Sequence, residues 1–268
     1  MLLNGILFNS EIWYNVKEEE VKKLSQVDEY LLRSILGAPS KTPKEALYLE
    51  TGCVPIKFIL KMRRLMYLHH ILSRPQEELI RKFYEAQKCK MSKGDWAKTA
   101  EENLKELKMK MTDEKISQIS KHKFKRILKK NIYKEAFDEL IEKKDSHSKM
   151  SETKYDKLEP QSYLKSDSGL SNEEKYLLMK FRTRMAELRN NFQNKYQDQL
   201  CQLCKAEVED QSHLFRCDAL INKCEALAEN IEVEYEDIFS HNSKQQAKAV
   251  KLLSKMWETR ENLIQKED

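Results

Sequence analysis

Glycine and proline are scarce, at five residues each in a chain of 268. Glycine supplies the left-handed backbone of tight turns, and proline fixes turn corners. A chain this poor in both is a poor candidate for a turn-rich β sandwich or a collagen-like rod, and long helices are expected instead. Long apolar runs are also missing, since no stretch approaches the roughly 18–20 residues that span a bilayer. The opening MLLNGILF is apolar but has no basic leader, and Glu11 interrupts it before any small-residue cleavage site. The expectation is a soluble, intracellular protein, nuclear and/or cytoplasmic, with no membrane partner. Catalytic signatures are absent as well. There is no Gly-rich phosphate loop, no G-x-S-x-G elbow, no H-E-x-x-H and no adjacent Asp pair. Neither an enzyme nor a small-molecule substrate is expected.

What is present is charge and a moderate apolar content. Charged residues make up 35%, against about 25% in an ordinary globular chain, so much of the surface must be solvated charge. The 40% apolar share still suffices for a core, and the length suits one large or two modest domains. Net charge is only +5, so its distribution matters more than its size. Six cysteines in an intracellular chain point to thiols or metal ligands, not a disulfide framework.

Apolar spacing predicts helix almost throughout. Val21, Leu24, Val27, Leu31 and Ile35 mark one over 17–36, closed by Gly37. Thr42, Pro43 and Glu45 form a capping box for a short helix ending at Gly52. Pro55 opens a helix with Ile56, Ile59, Leu60, Leu65, Leu68 and Leu72 on one face; His69 and His70 read as a surface or core-edge pair. Leu79, Phe83 and Ala86 mark the next helix, and Trp96, Leu104 and Leu107 another, begun by Ser92 and Asp95. Thr112 caps a short helix. A helix over 121–145 follows, with Phe124, Ile127 and Leu128 in one stripe; Phe137 and Leu140 fall outside it, which predicts a bend or a change of partners near Asn131. Residues 146–171 are polar, Ser-rich and aperiodic, and read as a linker. Ser171 and Glu174 box the next helix, with Leu177, Phe181, Met185 and Leu188. Two helices close the chain, near Ile238 and over 243–265. Trp13, Trp96 and Trp257 read as core, and Cys53 and Cys89 as structural.

The segment CQLCKAEVEDQSHLFRC has the spacing C-x2-C-x8-H-x3-C. Cys201 and Cys204 suit a tight turn that aims two thiolates at one point. His213 and Cys217 are four apart, one turn along a helix that Asp210 can cap. Three thiolates and an imidazole form a closed set for one structural Zn²⁺, with no open position for a catalytic water. Cys224 lies seven residues after Cys217 and could compete as a ligand, although its position also reads as core.

From Lys121 to Lys134 there are seven Lys or Arg residues and no Asp or Glu. Lys121, Lys123, Lys125, Arg126, Lys129 and Lys130 either form a solvated helical face or bind phosphates. The lack of any acid in an otherwise balanced chain favours the second reading, which gives affinity without base readout. Arg182, Arg184 and Arg189 are weaker candidates.

Residues 10–72, from SEIWYN to LHHIL, resemble the region that follows the polymerase core in reverse transcriptases of non-LTR retrotransposons, with Trp13, Leu32-Arg33, Pro43-Lys44-Glu45 and Arg63-Arg64-Leu65 as landmarks. The cysteine segment is similar to the Cys-Cys-His-Cys element near the C-terminus of those polyproteins. The resemblance implies an all-α fold: a thumb/connector-like helical bundle over 1–145, a linker over 146–171 and a small helical zinc-binding domain over 172–268. It implies that fingers, palm and catalytic Asp pair would lie upstream of Met1, making Met1 an internal methionine of a longer frame. The expected function is then a non-catalytic C-terminal fragment that holds RNA or an RNA–DNA hybrid by its backbone, partnered with the upstream polymerase domain. The alternatives are a zinc-stabilised scaffold for protein partners, or a decayed element with no selected function.

Overall fold

The computed structural model describes residues 5–90, 92, 94–224, 232–240 and 242–266. The protein is all-α. Eleven helices carry the description: α1 (Glu18–Leu36), α2 (Lys44–Thr51), α3 (Ile56–Leu72), α4 (Leu79–Cys89), α5 (Trp96–Glu106), α6 (Asp113–Gln118), α7 (Lys121–Asp145), α8 (Asn172–Arg182), α9 (Gln211–Leu214), α10 (Asp218–Ile221) and α11 (Ser243–Ile264). Among the described residues there is no strand, and only one isolated antiparallel bridge, Leu200 to Val208. No described helix is long and apolar enough to cross a membrane. The chain divides into two compact units: residues 1–31 with 53–142, and 32–52 with 143–268.

The first unit is organised around α3. Ile56, Leu60, Leu65, Leu68 and Leu72 are buried, as their spacing predicts, while Ile59 is half-buried. Arg64 on the same helix is buried too. It donates to Asn103 Oδ1 of α5 (2.8 Å) and to the Trp13 carbonyl (2.9 Å). A buried guanidinium is tolerable only with such partners. His69 is buried, with Nε2 2.7 Å from the Ile119 carbonyl and its ring stacked on Phe124 at 4.9 Å. His70 is exposed and stacks on Tyr67. Thr112 caps α6 as expected. Trp96 is buried, and Trp13 half-buried.

Several expectations fail here for identifiable reasons. In α4, Leu79 and Phe83 are exposed, and Tyr84 is the residue that turns inward. Tyr84 hydroxyl donates to Asp113, which also accepts from Lys88. In α1, Val27 and Ile35 are exposed while Asp28, Leu32 and Leu36 are buried, so the inward face lies one residue later than the apolar pattern suggests. Cys53 and Cys89 are exposed. Near Asn131, where a bend or a change of partners was expected, α7 continues as one helix to Asp145. Its buried stripe is Phe124, Leu128, Ile132, Ala136 and Leu140, one residue every four. Steps of four advance 40° around a 3.6-residue helix, so the stripe winds around α7.

The second unit has one large core, built from Tyr163, Leu178, Phe181, Leu188, Leu220, Ile238, Val250, Leu253 and neighbours. Within the expected linker at 146–171, Tyr163 belongs to this core, Leu164 and Leu170 pack against it, and Met150 and Leu158 are buried as well. Polar residues separate those anchors irregularly, so no helical or strand period shows in the sequence. Segment 32–52 joins the same unit. Glu50 of α2, fully buried, accepts from Arg182 Nε at 2.8 Å and from the Tyr155 hydroxyl. Gly52 has φ +67°, and a Cβ there would meet the Glu159 backbone at 2.3 Å, so only glycine fits. The capping box predicted for α2 does not form. Pro43 occupies the N-cap, the buried Thr42 hydroxyl has no partner among the described residues, and Glu45 pairs with His147. The Ser171–Glu174 box is present and opens α8. That helix ends at Arg182, so Met185 and Leu188 are buried from the following turn.

Candidate functional site

Two backbone bonds shape the cysteine turn. Cys201 N donates to the Glu207 carbonyl (2.7 Å), and Glu209 N to the Gln199 carbonyl (2.8 Å), flanking the Leu200–Val208 bridge. Within the turn, Lys205 takes φ +56° and returns its N–H to the Cys201 carbonyl at 2.9 Å. This folds Cys204 back towards Cys201. On the other side, the Asp210 carboxylate accepts from His213 N at 2.7 Å and starts α9. The single helix expected to carry both His213 and Cys217 is not formed. α9 ends at Leu214, and Cys217 is the N-cap of α10. The two side chains converge nonetheless, because the backbone turns between two short helices.

The ligand atoms of Cys201, Cys204, His213 and Cys217 all lie within 4.8 Å of one another. Cys201 Sγ and Cys217 Sγ are 3.8 Å apart, and Cys204 Sγ is 3.4 Å from His213 Nε2. A disulfide requires about 2.05 Å, so the sulfurs are not bonded. Tetrahedral coordination with bonds of about 2.3 Å to sulfur and 2.0 Å to nitrogen separates two sulfurs by about 3.8 Å and sulfur from nitrogen by about 3.5 Å. The four atoms therefore stand at metal-binding distances.

The electrostatics point the same way. Burial pushes the Cys201 thiol up to about 12 and also raises Cys217. At Cys204 burial acts in the same direction but is outweighed by the backbone amides of Ala206 and Glu207, which bring the thiol down to about 7. Clustered thiols resist ionising together unless a cation compensates them. Cys224 is buried in the core and stands outside the four-residue group.

The surrounding shell is not apparent from ligand spacing. Glu207 Oε2 lies 3.2 Å from His213 Nδ1, which fixes the ring and leaves Nε2 facing the sulfurs. Glu209, almost fully buried, accepts from Arg260 of α11 at 2.7 Å and from Arg189 N at 3.0 Å. Arg260 also donates to Gln202 Oε1 at 3.1 Å. One guanidinium thus ties the cysteine turn to the last helix. Gln211 Nε2 donates to the Phe181 carbonyl and to the Tyr235 hydroxyl oxygen, each at 2.9 Å. The available sequence signal is Arg260 itself, a charged residue three positions after Trp257 on the largely apolar inward face of α11.

The other predicted site lies on α7. Lys121, Lys123, Lys125, Arg126, Lys129 and Lys130 are all exposed. Among the described residues no carboxylate pairs with any of them. Further along, by contrast, Glu135 pairs with Lys108 and Glu139 with Lys57. The three arginines considered as weaker candidates are engaged: Arg182 with Glu50, Arg184 with Glu152, and Arg189 with Asp198. Comparisons with known protein families, with curated proteins and with solved structures return no match.

Proposed function

We propose that the protein is a non-catalytic nucleic-acid-binding module whose second unit is held by one structural Zn²⁺. The exposed face of α7 binds the backbone of RNA or an RNA–DNA hybrid. The observation that carries the binding role is six exposed cations, uncompensated by any described carboxylate, of which Lys121 and Lys123 lie in the first helical turn, where cations are least favoured. The helix dipole makes the N-terminal end positive, so lysines there cost stability. A face retained only for solubility would gain by mixing in acids.

Zinc is proposed from the donor set. Three soft thiolates and an imidazole, their donor atoms within 4.8 Å of one another, favour Zn²⁺ over the oxygen-seeking Mg²⁺ or Ca²⁺. Cys201, Cys204, His213 and Cys217 would hold it, with Glu207 orienting His213. Four protein ligands leave no place for a reacting water, so the ion's role is to close the turn. The landmarks in residues 10–72 and the cysteine segment support a further reading: this chain corresponds to the thumb/connector and zinc-element portion of a non-LTR retrotransposon reverse transcriptase, whose polymerase domain would be its partner.

Binding to a labelled RNA hairpin across a salt series tests the module. Affinity should fall steeply as salt rises, because each contacted phosphate releases counterions. No binding at low salt would sink the proposal. Partner-protein binding that survives reversal of Lys125, Arg126, Lys129 and Lys130 to Glu, with little salt dependence, would favour a protein scaffold instead. Primer extension by the chain would contradict the non-catalytic assignment.

A further inference from the structure

The second unit contains a cleft of about 630 Å³ that the metal centre does not use. Its size suits a small polar ligand. Lys41, Lys149 and Arg184 line it, together with Phe192 and the side-chain amides of Asn190 and Asn194. The acids close to this wall are occupied. Glu152 is held by Arg184 and the Tyr235 hydroxyl, and Glu187 by Lys195 and the Tyr196 hydroxyl. Neither Lys41 nor Lys149 has a carboxylate partner among the described residues.

Lys149 is the unusual member. Its half-buried ammonium sits 4.6 Å over the Phe192 ring and 3.6 Å from Met185 Sδ, with no oxygen acceptor among the described residues. Burial, and then the neighbouring Lys41 charge, hold it below the usual lysine range. Two cations that repel one another beside a polar cleft make a site whose missing component is an anion.

We propose that this cleft binds a phosphate group, with Lys41 and Lys149 as its two cationic contacts and Arg184 as a third donor. The phosphate belongs either to a free nucleotide or to a nucleic-acid backbone; both present the same tetrahedral anion. The inference is independent of the α7 interface, because it concerns different residues in a different unit.

The test is calorimetric titration of the zinc-loaded full chain with inorganic phosphate, adenosine monophosphate and a short single-stranded RNA. Binding of at least one probe is expected. It should weaken roughly tenfold or more in the Lys41→Gln/Lys149→Gln variant, as charge-assisted contacts of this kind are lost. Lys251→Gln, at an exposed position of α11, should leave that binding unchanged. Preference for the monophosphate identifies a nucleotide site, and preference for RNA a backbone site. A second measurement covers a double variant that does not fold: in the unaltered chain, the same probe should protect Lys149 from acetylation, read by mass spectrometry. No binding by any probe at millimolar concentration, or binding and acetylation both indifferent to these lysines, overturns the proposal.

Discussion

The cysteine turn and the first half of α7 both concentrate functional-type side chains within about twenty residues, but they treat them in opposite ways. In the turn the key charged groups are paired within the chain. Asp210 caps His213 N, Glu207 meets His213 Nδ1, and buried Glu209 accepts from Arg260. On α7 the cations have no described acidic partner and face solvent. A region built to hold its own shape satisfies its charges internally. A region that leaves charges unsatisfied, against the local helix dipole, keeps them for something outside the chain.

The largest effect should come from breaking the turn's central point. Cys217→Ser, or a strong chelator, should unfold the second unit's C-terminal part, because metal-binding energy in such sites is folding energy, on the order of 10 kcal/mol in small zinc domains. Circular dichroism should show helix loss from that unit while α3 and α7 persist. Melting that is indifferent to chelator would remove zinc from the account. Next in size is Arg260→Ala, which strands a buried Glu209 carboxylate. Removing one member of a buried pair costs about 3–5 kcal/mol, measurable by urea denaturation. A loss under about 1 kcal/mol, the range of surface pairs, would mean that water reaches Glu209. Smaller still is Glu207→Gln. It leaves all four ligands in place but weakens the acceptor on His213, and outer-shell changes of this kind lower metal affinity about 10–100-fold. Competition with a chromogenic chelator reads that directly.

Much of this contrast was legible in the sequence, and the reasons differ by region. The convergence of Cys201, Cys204, His213 and Cys217 was readable because their spacing is short and chemically restrictive. The extent of α7 was readable because the apolar recurrence that marks a helix is local. What failed was long-range. The 146–171 stretch looked like a linker because Met150, Leu158 and Tyr163 follow no period, yet each is buried in the second unit. Glu50, on a short helix far away in sequence, meets Arg182. No window of sequence contains both partners, so neither the buried pair nor the membership of 32–52 in that unit could be seen. The inward face of α4 was misassigned for a related reason: Tyr84 finds Asp113 for its hydroxyl, and Leu79 and Phe83 are left outside.

The smallest predicted effect is the one that separates the two regions most sharply. Lys121 and Lys123 occupy the first turn of α7, which contains no acid. At a helix N-terminus a cation opposes the dipole, and an anion there is favoured by about 0.3–1 kcal/mol at low salt. Lys121→Glu/Lys123→Glu should therefore raise the melting temperature slightly, by an amount that vanishes as salt is added. The same change should weaken RNA binding and flatten its salt dependence by up to about two phosphate contacts. Stability and binding would then move in opposite directions on one pair of residues. In the cysteine turn they cannot, since every substitution that harms metal affinity also harms the fold. If the double variant both melted lower and bound RNA unchanged, the lysines would be serving the helix itself, and the distinction between a self-satisfied turn and an outward-facing helix would fail.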